Sequence, residues 1–367
     1  MTEQTAVFQP DWVSPPGDTI ADLLEEKGWT QAEFAQRCGY TTKHASLLIN
    51  GKAAITEDTA IKLERVLGSS ARFWLVREAQ YRETIARQEE LKRLESDAGW
   101  LKQLPLADMI RFGWIRKFAN KGHQVAECLR FFGVSSIDAW QRQYAEPLAA
   151  FKASEKFKKN DAAVSAWLRQ GERIASELAC TPFDKAQFKK VLLDLRSLTK
   201  ETDPRKFVPE LKKACASAGV AVVFEPAPKG CPVSGATRWL SPDKALLMLS
   251  LRHKTNDHLW FAFFHEAGHI LLHGKKMLFL ENMGLDGAHE READQFASDL
   301  LIPSRYAKRL ASLAKRYADV KAFAEEVGVA PAIVVGRMQK EGFLPWSHLN
   351  KCKISYRWSN ESQASRD

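Results

Sequence analysis

Apolar positions begin to recur at helical spacing just after Pro15, Pro16 and Gly17, and the residues up to Tyr81 predict five short helices. Ile20, Leu23 and Leu24 mark the first, with Asp18 or Thr19 as its cap and Gly28 as its end. Thr30 caps a second that runs to Cys38, Gly39 turns the chain, and Thr41 or Thr42 caps a third ending at Asn50-Gly51. Ile55-Thr56 opens a fourth through Ala60, Leu63 and Val66 to Gly68, and a fifth carries Phe73 and Trp74. The pattern predicts a tail over residues 1–16 and a compact all-α unit over residues 17–81.

From Arg82 to about Arg205 the periodicity stays helical, with Phe188, Val191, Leu192, Leu195 and Leu198 on one stripe, and a helical connector over 82–205 is expected. At Gly219 the texture changes. GVAVVFEP, SGATRWL, a Ser-Pro-Asp turn at 241–243 and KALLMLSLR predict a small antiparallel sheet. Long helices follow from Thr255 to His273 and from about His289 to Leu301, giving an α+β unit over 206–350 and a tail over 351–367. Near the end, FAEEVGVAPAIVVGR reads as helices bracing that unit rather than as a DNA reader, because Val334 and Val335 would face outward in a reader.

Length and composition sharpen this multi-domain reading. At 367 residues the chain exceeds one ordinary domain, and 45% hydrophobic with 27% charged residues is the balance of folded globular proteins. Six cysteines without a CxxC pair offer neither a disulfide framework nor a cysteine zinc site, and no signal peptide or membrane-length apolar run is present, so a cytoplasmic protein with no membrane partner is expected. The net charge of +9 is unevenly spread: residues 17–81 carry −1, whereas 82–205 and 206–367 each carry +6. The basic run FKASEKFKKN at 151–160 reads as a solvated loop, with a secondary nucleic-acid contact as the sharper alternative.

The sharpest chemical feature is His265-Glu266-Ala267-Gly268-His269, an HExxH inside a helical pattern. Residues i and i+4 share a helix face, so both imidazoles can reach one zinc ion, while Glu266 stands beside the ion, placed to take a proton from a bound water and hand it to a departing amine. His273 lies about 12 Å along the axis from His265, too far to share the ion. The HExxHxxGxxH pattern fails at Leu272 and Lys275, so the third ligand must come from elsewhere. Downstream, EREADQFASDLLIP places Glu290 and Asp294 on one face, with Glu292 and His289 as competing ligands. Ala293 and Ala297 would let this helix approach Gly268 and Ala267. His258 is the leading candidate to stabilise an oxyanion, with Arg252, His253 and Tyr306 behind it, and the strand ending at Leu251 either offers an edge for an extended substrate or is buried.

Two resemblances accompany these residues. TQAEFAQRCGYTTKHASLLINGK is similar to the helix-turn-helix of the lambda-repressor-like (Xre) family, and Pro16 to Tyr81 resembles its HigA-type antitoxin branch. That likeness implies a major-groove reader using Thr41, Thr42, Lys43 and Ser46, with Gln31 and Lys52 near phosphates, and a homodimer that would offset the low charge. The Glu290/Asp294 spacing is similar to the ExxxD arrangement of gluzincin-type metallopeptidases, which implies Glu290 as the third zinc ligand and Asp294 as a hydrogen-bond acceptor for a ligand histidine. FFHEAGHILLHG together with EREADQFASDLLIP resembles the ImmA/IrrE metallopeptidases across roughly residues 205–345, implying a zincin-like fold and a zinc endopeptidase that cuts a repressor- or antitoxin-type protein in a stress, phage or mobile-element response. The competing expectation is a HigA-like DNA-binding transcriptional regulator or antitoxin whose zincin-like half senses a signal or binds a partner without proteolysis.

Overall fold

The computed structural model describes residues 14–145, 161–274, 279–280 and 287–358, so most of the expected tail at 1–16, the basic run at 151–160 and the last nine residues lie outside the described residues. The chain divides into two compact units, residues 1–98 with 119–126 and residues 99–118 with 127–367.

In the first unit, α1 (Pro16–Lys27), α2 (Gln31–Cys38), α3 (Thr42–Ile49), α4 (Glu57–Leu67) and α5 (Ala71–Ser96) enclose a core of Ile20, Phe34, Ala45, Leu48, Leu63 and Trp74. Local chemistry sets the boundaries. The hydroxyls of Thr30 and Thr41 each accept the backbone N–H three residues on at 3.2 Å, and that of Thr56 does so at 3.4 Å. Gly28 and Gly39, at φ 66° and 68°, stop α1 and α2 in the left-handed conformation that a Cβ disfavours. Neither Asp18 nor Thr19 caps α1, which starts earlier, on Pro16, whose fixed φ suits a first turn. α5 is longer than the expected short fifth helix: it continues past Tyr81 with no apolar stripe, its polar surface carrying ion pairs such as Arg87–Glu83 at 2.6 Å and Arg93–Glu90 at 2.7 Å.

The second unit is built on a four-stranded sheet of β1 (Val220–Phe224), β2 (Gly235–Ser241), β3 (Lys244–Leu249) and β4 (Phe279–Leu280), in the order β1-β3-β2-β4. The antiparallel expectation holds for the β2–β3 hairpin, but β1 runs parallel to β3, and β4, which lies outside the expected strands, pairs antiparallel with β2. Both β1 and β3 are continuous apolar runs buried on two faces, the pattern of strands covered by helices on both sides. On one side lies α6 (Asp161–Glu177), where Gly171 leaves room for Met248, and on the other lies α9 (Asn256–Leu272). Of the two alternatives for the strand ending near Leu251, a substrate-pairing edge or a buried strand, the structure has the second, because β3 is paired along both sides.

Helices α7 (Lys185–Leu195), α8 (Pro204–Ala216), α10 (Gly287–Leu301), α11 (Tyr317–Val327) and α12 (Pro331–Lys340) complete the unit around one continuous core. Val334 and Val335 are buried within it. The chain stays ordered past residue 350: Lys353 pairs with buried Asp257 at 2.6 Å, and Asn256 exchanges hydrogen bonds with Ile354 at the start of α9. Among the described residues no helix is long and apolar enough to cross a membrane.

Candidate metal centre

α9 is apolar on nearly every side because it threads the middle of the unit, and it carries its HExxH polar residues at full burial: His265, Glu266 and His269 are 2%, 0% and 1% exposed. One helical turn brings His265 Nε2 and His269 Nε2 to 3.0 Å. From α10, Glu290 places Oε2 at 3.4 Å from His265 Nε2 and Oε1 at 3.4 Å from His269 Nε2. Ligands at 2.0–2.1 Å from a tetrahedral zinc stand about 3.3–3.4 Å apart, so the two edges to Glu290 match such an ion and the edge between the histidines is a few tenths of an ångström shorter. Among the described residues, this is the group of His, Cys, Asp and Glu side chains whose ligand atoms come together.

The outer ring nitrogens are anchored. Asp294 Oδ1 lies 2.9 Å from His265 Nδ1, so Nδ1 carries the hydrogen and Nε2 turns a lone pair inward. His269 Nδ1 lies 2.9 Å from His273 Nδ1, and His273 Nε2 lies 3.1 Å from Glu292 Oε2. A run of His269 donating to His273 and His273 donating to Glu292 leaves His269 Nε2 as a second inward lone pair. Two lone pairs and a carboxylate facing one another repel unless a cation lies among them, and this donor set fits zinc. Burial opposes the charge on Glu290, but without the ion Nε2 of His265 or His269 can instead carry a proton and donate it to Glu290, which outweighs burial and holds its carboxyl at about 2. Burial pushes the His269 imidazole below the ordinary histidine range, with Glu290 pulling it back.

α9 and α10 approach closely enough for this meeting because a methyl on Gly268 would stand only 3.3 Å from Ala293 Cα, and Ala293 and Ala297 are themselves buried. The competing ligands serve elsewhere: Glu292 accepts from His273, and the His289 ring lies 4.4 Å from that of His273. Sequence spacing ruled His273 out as a ligand of His265's ion. The same spacing, four residues after His269, is the signal that it could orient His269.

Glu266 faces the opening of β2, where a methyl on Gly235 would stand 2.6 Å from its Cγ and Oε1. A glycine at a strand start was the available signal for that approach. His258 is not brought to the metal residues. It lies two turns earlier on α9, about 10 Å along the axis from His265, and its ring stacks on His253 at 4.5 Å. Arg252 and His253 line a cavity beside α9, and Tyr306 packs edge-on against Phe323 at 5.8 Å.

In the first unit, Gln31, Thr42, Lys43 and Lys52 are exposed on and around α3. Thr41 is exposed too, but its hydroxyl caps α3, and half-buried Ser46 accepts a hydrogen bond from Asn50 Nδ2 at 3.2 Å.

Residues 20–74 match the family model described as helix-turn-helix, and residues 215–339 match the peptidase-family model described as the IrrE N-terminal-like domain. The chain carries a helix-turn-helix domain and an IrrE-like, metallopeptidase-type domain. The chain is 45% identical over 60 residues to the uncharacterized HTH-type transcriptional regulator YddM of Escherichia coli (strain K12), a match over 16% of its length. The chain spans 64% of that relative's length. It is also similar to a solved protein of Nostoc punctiforme described as an antidote of a plasmid maintenance system, at 34% identity over 23% of this chain and 94% of that one, with a TM-score of 0.22.

Proposed function

We propose that the chain is a DNA-binding regulator whose IrrE-like domain is a zinc endopeptidase acting on a repressor- or antitoxin-type protein. The observation that carries this reading is the meeting of His265, His269 and Glu290 at zinc-ligand separations, with Glu266 directly following the first histidine. Zinc held there supplies Lewis acidity and lowers the pKa of a bound water towards about 7. Glu266 accepts a proton from the attacking water and passes it to the departing amine. Asp294 fixes the tautomer of His265, and His273 with Glu292 does the same for His269. Thr42 and Lys43 on α3 meet DNA, with Gln31 and Lys52 beside the phosphates.

The test is a search for new protein termini in cells expressing wild type or Glu266→Gln, with the zinc content of both proteins measured. Termini that arise with wild type alone, at equal zinc content, support the reading; identical termini in both sink it. The complete burial of Glu266 favours a second reading, in which the metal unit binds a partner or senses a signal without turnover. That reading expects bound zinc and no new termini.

A further inference from the structure

A cavity of about 580 Å³ lies in the second unit beside the metal centre, between the loop after β3 and helices α9, α10 and α12. Its walls are mostly apolar, through Leu249, Phe261, Leu301 and Ile333, and the rim carries Trp346, which is 60% exposed. Such a volume suits a whole small molecule rather than a single peptide side chain.

The charges are lopsided. Every acid in the lining is already committed: Asp257 to Lys353 at 2.6 Å, Glu341 to Arg337 at 2.8 Å, and Asp294 to the ring of His265 at 2.9 Å. Arg252, Lys254, Arg291 and Lys340 line the same space, and among the described residues no acid pairs with Arg252, Arg291 or Lys340. Three cations around an apolar chamber attract a molecule with an anionic group and an apolar body.

We propose that this cavity is a binding site for an anionic small molecule with an aromatic or otherwise apolar body, separate from the metal centre and independent of whether the unit cuts peptides. Asp294 lines the cavity while holding His265, so an occupant lies next to the carboxylate that orients a metal-site histidine. By linkage, a ligand that moved Asp294 would alter zinc affinity, and zinc would alter the ligand's affinity by the same factor.

The experiment uses the zinc-free full chain and two fluorescent probes: anilinonaphthalene sulfonate, an aromatic body with one anion, and phenylnaphthylamine, the uncharged equivalent. The sulfonate should bind with about one-to-one stoichiometry and more tightly than the amine. Combining Arg252→Gln, Arg291→Gln and Lys340→Gln should weaken sulfonate binding by at least about tenfold, the loss expected for one charge-assisted contact. The charge-keeping combination of Arg252→Lys, Arg291→Lys and Lys340→Arg should restore it, which separates lost charge from lost fold. Ser298→Trp, which fills the chamber and leaves the cations in place, should abolish it. Wild-type affinity in the glutamine combination or in Ser298→Trp, or equal affinity for both probes, overturns the proposal.

Discussion

The carboxyl of Glu266 lies against the backbone of Gly235, close enough that a methyl group there would stand 2.6 Å from Cγ and Oε1. Glu266 is wholly buried. Gly235→Ala should therefore displace the carboxylate while leaving His265, His269 and Glu290 in place. The expected result is unchanged zinc stoichiometry, about 1–3 kcal/mol of lost stability from overpacking, and peptidase turnover reduced by about 10²–10⁴, the usual contribution of a positioned proton-transfer group. Full turnover in Gly235→Ala would remove Glu266 from the mechanism.

That contact also shows where sequence reasoning stops. The HExxH spacing dictates that two rings share a face, because helix geometry alone brings them together. Capping threonines and left-handed glycines mark most boundaries of the first unit for the same local reason. What faces Glu266 depends on a strand thirty residues away, and a glycine at its start signals closeness without naming the partner. The parallel pairing of β1 and β3 was hidden likewise, since a continuous apolar run fixes burial but not strand direction. The length of α5 escaped because a helix polar on all sides leaves no stripe to follow.

His273 orients His269 rather than binding the ion, so its loss should weaken zinc without abolishing it. His273→Ala should lower zinc affinity by about 10–100-fold, the range typical when an outer partner of a metal ligand is removed. Glu292→Gln, which keeps an acceptor oxygen and is largely exposed, should have a smaller effect. Competition with a chromophoric chelator gives both numbers. A His269→Ala loss no larger than that of His273→Ala would mean that His269 is not a ligand.

Acid should destabilise the zinc-free protein in two stages. Burial lowers the pKa of His269 and His273, so below about 6.5 the unfolded chain takes up protons that the folded one refuses, and stability falls as pH drops. Glu290 acts lower down: its carboxyl sits at about 2, so the stability it contributes is complete above 4.5 and drains away between those values. Glu225, raised by burial with the Trp114 hydrogen bond opposing, works in the opposite sense: the folded chain takes up its proton above 4.5, so it offsets part of the upper stage and none of the lower. Thermal midpoints from pH 7 down to pH 3, with and without zinc, check this. Zinc should raise the midpoint most at pH 7, with the gain shrinking as protons compete for the histidines. A zinc-free midpoint that stays level between pH 7 and pH 5 contradicts the first stage.

The helix-turn-helix domain carries a charge of only −1 over residues 17–81, so its hold on DNA must rest on a few placed cations rather than on a broad positive field. Lys52 is exposed just beyond α3 and is expected to neutralise one phosphate, while Lys43, exposed on α3, is expected to reach a base edge. Against a duplex selected from a random pool by wild type, Lys52→Ala should weaken selected and scrambled sequences alike and reduce the salt slope by about 1, whereas Lys43→Ala should weaken the selected duplex more than the scrambled one. Thr42→Ala should also differ from Lys52→Ala, losing affinity for the selected duplex by about 1–3 kcal/mol while leaving scrambled DNA unaffected, as expected of a side chain touching a base edge. Thr41→Ala separates reading from folding, because its hydroxyl caps α3: it should cost about 1 kcal/mol of domain stability. Salt-independent binding in wild type would mean that α3 does not lie against the phosphate backbone.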